Sequence, residues 1–311
     1  MNAMRVVSIG DLVTDLVTEI PHLPAAAGQH QVASKVQLEP GGAGNFLIAG
    51  ARLGMAMTAL GTVGDDWSGQ ALLAALQAEG VDTRSVSTQG STTTVVSLVA
   101  ADGGGHVFLG AYGQGAEVPL LPAWSAAVAS AHALIGWGYT LHETRVRAAM
   151  LAGMAQARQQ GLPVFFDPGP FFASAEPAHQ QAALERTSVL LLTDEELPSV
   201  SPQGGSEEAR VNALLARGLS GVVVKRGPHG CSIFTAQERA DHPGFAVPVV
   251  DTSAAGDSFA AALIFGWLSG WPLARAAAFA NAMGAAKVQK MGSGRQVPTR
   301  AEVDAVLLGH S

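Results

Sequence analysis

The chain has 311 residues, 48% of them hydrophobic and 14% charged, with a net charge of −7 and a single cysteine. Such a chain fills one large α/β domain or two smaller ones and is not disordered. Its acidic balance excludes nucleic acid as the main partner, which needs clustered Lys and Arg, but not a small polyanion held by backbone amides and a metal ion. The lone Cys231 excludes an intrachain disulfide and a thiolate metal site, and suits a reducing cytosol.

In chain order, Arg5–Ile9 is a β-rich run closed by Gly10-Asp11 and predicts a first, buried strand. No basic stretch followed by an apolar one precedes it, so no secretion signal is expected and the chain is assigned to the cytoplasm. Pro21, Pro24, Gly28 and Pro40 surround the alternating run Gln31–Leu38, in which Val32, Lys35, Val36 and Leu38 predict an exposed strand pair. Gly41-Gly42-Ala43-Gly44-Asn45 opens a helix through Ala51. Thr58–Gly64 is a second strand, and Ser68–Glu79 a helix with Leu72, Leu73 and Leu76 on one face. Thr93–Ala101 alternates, turns at Asp102-Gly103-Gly104-Gly105 and returns through His106–Leu109 as a hairpin.

From residue 125 the rhythm changes. Strand-like runs at Ala133–Gly136, Pro163–Asp167, Val189–Thr193 and Gly221–Lys225 alternate with helical stretches near 142–160, 176–186 and 206–217. That alternation predicts a doubly wound, mostly parallel sheet flanked by helices. Residues 12–40 and 93–112 are expected to form a small β-sheet inserted into one domain spanning 1–311, placed as a lid over the sheet edge. Ligands of such sheets bind at the carboxyl ends of the strands, where 167, 193–196, 225–230 and 251–257 fall. The apolar stretch 259–268 is interrupted by Gly266 and followed by Gly270 and Pro272, too short to cross a bilayer.

The densest chemistry lies in Val249–Phe259, read Val-Val-Asp-Thr-Ser-Ala-Ala-Gly-Asp-Ser-Phe and followed by the helical run Ala260–Phe265. A strand, a loop of small residues, an Asp and a helix aim backbone N–H groups at one point beside a carboxylate. Such amides bind phosphate, and the Asp is placed to take a proton from a hydroxyl attacking phosphorus. An ordinary tight turn capped by Asp257 or Ser258 is the alternative. No Gly-x-x-x-x-Gly-Lys-[Ser/Thr] occurs, so the chain is not a P-loop enzyme, and Gly136–Leu141 lacks the last glycine of a dinucleotide fingerprint. None of the nine His has ligand spacing for zinc.

Taken together, Asp251-Thr252-Ser253-Ala254-Ala255-Gly256-Asp257, Gly41-Gly42-Ala43-Gly44-Asn45 with Ala51-Arg52-Leu53-Gly54, and Gly61–Gly69 resemble the signatures of the ribokinase-like sugar and nucleoside kinases, the PfkB family, over roughly Val6 to Pro298. The resemblance implies a kinase using ATP and Mg²⁺. It implies Asp257 as catalytic base, and the amides of Ala254, Ala255 and Gly256 as the anion hole for the transferring phosphoryl group. It implies acceptor contacts from Asp15, Gly42 and Asn45, and nucleotide contacts from Thr193, Lys225, Gly227, Gly230 and Asn281. Glu196 matches the acid that organises Mg²⁺ through water, with Thr193 in place of the family's Asn. Asp251 and Thr252, with backbone of 287–292, match a monovalent-cation site, so K⁺ is a further expected ion.

Two departures bear on the acceptor. Val13 stands where ribokinase has an Asn, and Tyr139 where it has a Glu; loss of hydrogen-bond partners changes discrimination. Asp167-Pro168-Gly169-Pro170 lacks the Arg found in several fructokinase and ketodeoxygluconate kinase relatives, which argues against a carboxylated acceptor. Three readings remain: a kinase for the primary hydroxyl of a small sugar, a nucleoside kinase with the base on Tyr139 or Trp137, and a catalytically weak sugar- or nucleotide-binding protein, motivated by Thr193 alone. A homodimer through the lid strands is expected, since pairing covers their edges. No membrane partner is expected.

Overall fold

The computed structural model describes residues 3–24, 27–101, 105–202 and 204–309. Along the chain the strands are β1 Arg5–Ile9, β2 Leu12–Ile20, β3 Lys35–Gly42, β4 Ala56–Leu60, β5 Thr62–Val63, β6 Ser87–Thr88, β7 Thr93–Ala100, β8 His106–Ala111, β9 Ala133–Trp137, β10 Val164–Asp167, β11 Val189–Thr193, β12 Gly221–Lys225, β13 Cys231–Phe234 and β14 Arg239–His242. The helices are α1 Ala43–Arg52, α2 Trp67–Ala78, α3 Pro122–Ala129, α4 Arg147–Gln159, α5 Pro177–Glu185, α6 Leu197–Val200, α7 Glu207–Ala216, α8 Ala255–Leu268, α9 Leu273–Val288 and α10 Arg300–Gly309.

One eight-stranded sheet runs β14-β13-β12-β11-β10-β9-β1-β4. It is parallel from β4 to β12, and β13 and β14 add antiparallel at one edge. Its central strands are apolar on both faces because side chains alternate and helices cover each side. Val6, Ile135, Phe165, Leu191 and Val223 face one core with α1, α2, α8, α9 and α10. Val7, Leu134, Phe166, Leu190 and Val222 face the other with α3, α4, α5 and α7. The doubly wound expectation therefore holds. Among the described residues no helix is long and apolar enough to cross a membrane.

A second, four-stranded sheet has the order β3-β2-β7-β8, with β2 and β7 parallel at its centre. It draws on the two segments expected to form the β appendage, but its strands differ in detail. The run Gln31–Leu38 does not itself form the strand: β3 begins at Lys35 and continues through Pro40 to Gly42. Pro40, set outside that run in the sequence, lies inside β3, which is an edge strand, where a missing N–H is tolerated. Thr58–Gly64 is two strands, parted at Gly61, where a Cβ would lie 2.4 Å from the Gly10 carbonyl oxygen. The β7–β8 hairpin is as expected; of its turn, Asp102–Gly104 lie outside the described residues, and Ala100 N–H donates to the Gly105 carbonyl at 3.0 Å.

A buried ion cluster ties this sheet to the main one. Arg145, with a fully buried side chain, donates to Glu143 at 2.8 and 3.1 Å and lies 3.6 Å from Asp11. It also donates to the Ser91 carbonyl at 2.7 Å and to Thr93 Oγ1 at 3.2 Å. Thr93 Oγ1 donates in turn to Asp11 at 2.9 Å and accepts from Gly113 N–H at 2.9 Å. The start of β7, the end of the β8 segment and the β1–β2 junction thus meet on one guanidinium.

Candidate active site

The site forms where α8 begins, at the carboxyl edge of the large sheet. Asp251 builds the turn before it. Its Oδ1 accepts from Ser253 N–H at 2.9 Å and Ser253 Oγ at 2.8 Å, and its Oδ2 accepts from Gly292 N–H at 2.7 Å. Ala254 then enters the left-handed region at φ 59°, alone among described non-glycine residues. A Cβ there is strained by about 1 kcal/mol or more, and strain of this kind clusters where a loop must hold one shape. The turn swings the chain directly into α8, whose first N–H groups have no partner inside the helix. Of the three amides expected to form an anion hole, that of Ala255 donates to the Thr252 carbonyl at 3.2 Å.

Asp257 lies in the first turn of α8, half-buried, and its Oδ2 accepts from Asn45 Nδ2 at 2.9 Å. Burial pushes its carboxyl up to about 7, against the Asn45 bond and with the charge of Asp167 adding to the rise. Asn45 is in α1, which packs on α8. Its Oδ1 accepts from Gly294 N–H at 2.6 Å. One residue earlier, Ser293 Oγ donates to Asp15 Oδ2 at 2.8 Å. The 292–294 turn therefore seats Asp15, Asn45 and Asp251 together. Asp15 is pushed up to about 6 by burial, against the Ser293 bond. Its carboxylate presses on Gly41, where a Cβ would fall 2.0 Å from Oδ1; only glycine fits. Gly42, at φ 47°, starts α1 beside it.

Tyr139 stands near Asp257 and Asp167. It is 43% exposed, as Phe171 is at 56%, and the two rings meet edge to face at 5.6 Å. Burial pushes its phenol up, with the charges of Asp257 and Asp167 adding to the effect. Tyr112, just after β8, donates from its hydroxyl to the Tyr139 carbonyl at 3.2 Å, so the smaller sheet reaches this side of the site.

On the other side, Asp167, Thr193 and Lys225 end the adjacent strands β10, β11 and β12. Lys225 Nζ donates to Asp167 Oδ2 at 2.7 Å. Burial opposes the Lys225 charge, but Asp167 and Glu196 outweigh it and hold the ammonium above its ordinary value. Glu196 is raised by burial and by Asp167. Thr193 and Glu196 cap each other: Thr193 N–H donates to Glu196 Oε2 at 2.8 Å, and Glu196 N–H to Thr193 Oγ1 at 3.2 Å, a capping-box exchange. The backbone N–H of Thr193 thus holds the Glu196 carboxylate, while its hydroxyl accepts from the Glu196 backbone. Asp194 and Glu195 are exposed. Gly227 and Gly230 have φ of 51° and 78°, and a Cβ on Gly230 would sit 1.9 Å from the His242 carbonyl oxygen. Asn281 is buried in α9, not on a helix surface, and donates to Cys231 Sγ at 3.1 Å and to the Ala277 carbonyl at 2.8 Å. Burial keeps the Cys231 thiol up at about 11, an inert neighbour and not a nucleophile. Thr252 is exposed.

Sequence reasoning singled out the glycines and carboxylates, and the backbone of 287–292, but missed Ser293, the buried Lys287 side chain and the pairing of Asp167 with Lys225. The only local signal for the last was that each residue ends a predicted strand.

A carboxylate at a helix start, beside small-residue amides at the carboxyl edge of a doubly wound sheet, suits phosphoryl transfer to an alcohol, and the family that the chain matches gives its class, an ATP-dependent phosphotransferase acting on an alcohol. The chain belongs to the PfkB family: the family model for pfkB family carbohydrate kinases matches residues 3–300. It is 31% identical to an ATP-dependent ribose-1-phosphate kinase of Halopiger xanaduensis, over 98% of both chains. It is 27% identical to fructokinase-2 of Solanum lycopersicum, over 98% of this chain and 96% of the relative. Its fold matches an E. coli protein assigned as ribokinase II, in complex with ATP and Mg²⁺, with a TM-score of 0.87, 23% identity and coverage of 99% and 100%.

Proposed function

We propose that the protein transfers the γ-phosphoryl group of ATP to a primary hydroxyl of a small sugar, with Asp257 as general base. The observation that carries this reading is the Asn45–Asp257 hydrogen bond, which fixes a carboxylate of raised proton affinity in the first turn of α8, one residue from the Ala254–Gly256 amides. As the hydroxyl oxygen attacks phosphorus, its proton passes to Asp257, and the amides of 254–256 receive the developing charge. Asp15 accepts hydrogen bonds from vicinal hydroxyls, with the backbone at Gly42 close by. Asn45 orients the base.

Nucleotide phosphates reach the same point from the β12 side, past Lys225, Gly227, Gly230 and Asn281. Among the described residues no group of three acidic, His or Cys side chains gathers to hold a metal directly. Mg²⁺ binds through phosphates, waters and one or two carboxylates; Glu196, with the Asp167 charge near it, would hold it through water. When bound, Mg²⁺ neutralises phosphate charge.

A second reading, a nucleoside acceptor, is favoured by the exposed Tyr139–Phe171 pair, which offers a base an aromatic face. The reading as a weak binding protein loses its motive, because Thr193 still presents Glu196 by the reciprocal cap.

Coupled ADP release with MgATP over pentoses, ketohexoses, sugar 1-phosphates, sugar acids and nucleosides tests these readings. A neutral sugar is expected to turn over fastest; turnover of nucleosides alone would select the second reading, and no turnover with any acceptor would overturn both. With the best acceptor, kcat/KM is expected to rise with pH through about 7, because the base acts only when ionised and Asp257 loses its proton near there. A flat profile from pH 5.5 to 8.5 would remove Asp257 from that role.

The smaller sheet is read as a lid over the acceptor and as the surface of a homodimer. Its outer strand β8 is exposed along its whole length, with Phe108 50% and Leu109 57% exposed, and Val36 on β3 56%. Such an edge pairs or aggregates. Light scattering is expected to give twice the 31.7 kDa chain mass; a monomer at micromolar concentration would refute the pairing.

A further inference from the structure

Lys287 is fully buried at the end of α9 and has no task in the chemistry above. Its Nζ donates to the Lys290 carbonyl at 2.9 Å. The turn it fills is tied to Asp251 from both ends. Val250 and Asp251 N–H donate to the Val288 carbonyl at 2.7 and 3.1 Å, and Gly292 N–H donates to Asp251 Oδ2. This is where the resemblance to ribokinase-like kinases implies a bound monovalent cation. The residues present fit one poorly. The carbonyls of Lys287, Val288 and Lys290 already accept hydrogen bonds, two of them at Val288, Thr252 is exposed, and an ammonium already sits inside the segment.

We propose that the Lys287 ammonium is the cation of this site, a built-in counter-charge to Asp251 that takes the place of K⁺ and holds the 251–256 turn in shape. Asp251 is 4% exposed, and a carboxylate that deep needs a positive partner or a full set of donors. Asp251 acts on the Lys287 amine in favour of its charged form, against the burial that disfavours it. A diffusible ion fills its site according to its concentration; a tethered one is always present. Lys287 is a positioning residue. It acts through Asp251 and Ser253 on the strained Ala254 and on the amides that follow.

This inference rests on reading 251–257 as the transfer site, and one of its readouts is independent of that reading. Turnover is measured at fixed ionic strength in potassium, sodium and tetramethylammonium chloride. The natural chain is expected to be equally active in all three. Lys287→Met is expected to lose about tenfold or more of kcat in tetramethylammonium, as misplacement of reacting groups does, and to regain it as K⁺ is added. In thermal melts, which need no acceptor, K⁺ is expected to raise the melting temperature of Lys287→Met saturably and to leave the natural chain unchanged. Several-fold activation of the natural chain by K⁺, or full activity of Lys287→Met without any small cation, would overturn the proposal. Should Lys287→Met fail to fold, the natural chain's response to the three salts decides alone. If Asp257→Asn keeps its turnover, the transfer site lies elsewhere, while the salt-specific melts still test the ammonium.

Discussion

Asp257→Asn is expected to lower kcat by roughly 10²–10⁴ while leaving nucleotide binding and thermal stability close to those of the natural chain. The substitution keeps size and shape. The Asn45 Nδ2 donor, now 2.9 Å from Asp257 Oδ2, finds an amide oxygen in its place. No stability is sacrificed, because burial already disfavours the Asp257 charge. A negative charge beside the incoming phosphates is removed, so nucleotide affinity should not fall. What disappears is the proton acceptor. Coupled ADP release gives kcat, calorimetric titration with nucleotide gives binding, and thermal melts report the fold. Turnover within about tenfold of the natural rate would mean that Asp257 is no more than a helix cap, the plain alternative for this residue type in a first turn.

Arg145→Met carries the largest expected cost in stability, about 3–5 kcal/mol, or a fall in Tm on the order of 10 °C. Arg145 is fully enclosed with Glu143 and Asp11, whose side chains are 1% and 4% exposed. Methionine fills much of the volume but leaves two buried carboxyls without their cation. Asp11 is already pushed up to about 8 by burial and by Glu143. With the guanidinium gone, Asp11 holds its proton still more tightly in the folded chain than in the unfolded one. Stability then falls as pH rises, because the native state binds more protons than the unfolded state. The deficit should therefore stay level below about pH 7 and widen from about pH 7 to pH 9, where Asp11 ionises in the natural chain and keeps its proton in the variant. Urea melts across that range check it, and a loss below about 1 kcal/mol would show that the cluster is a marginal contributor. Ser91, Thr93 and Gly113 hang on the same network, so the smaller sheet should loosen with it.

The sequence by itself determined the parts of this protein that depend on neighbours along the chain. The parallel strands declared themselves as apolar runs ended by an acidic, polar or basic residue, as in Val164–Asp167 and Gly221–Lys225. The small-residue turn before α8, the glycines of 41–44 and the hairpin of β7 and β8 were legible because turn chemistry and side-chain period are local properties. Leu12–Ile20 was not legible as the centre of a second sheet. It follows β1 after only Gly10-Asp11, and nothing local says that the chain changes sheets there. The place of Pro40 inside β3 was hidden for the same reason, since its tolerance depends on lying at an edge.

The partners were decided by the tertiary structure alone. Asn45 meets Asp257 across 212 residues, Ser293 meets Asp15 across 278, and Lys225 meets Asp167 across 58. The fold also buried Lys287 beside Asp251 and enclosed Arg145 between two carboxyls. Proton affinity follows from burial and from such partners, so the raised proton affinity of Asp257 exists only once α1, α8 and the 292–294 turn have packed together, and the same packing works against the charge that Lys287 carries in the unfolded chain.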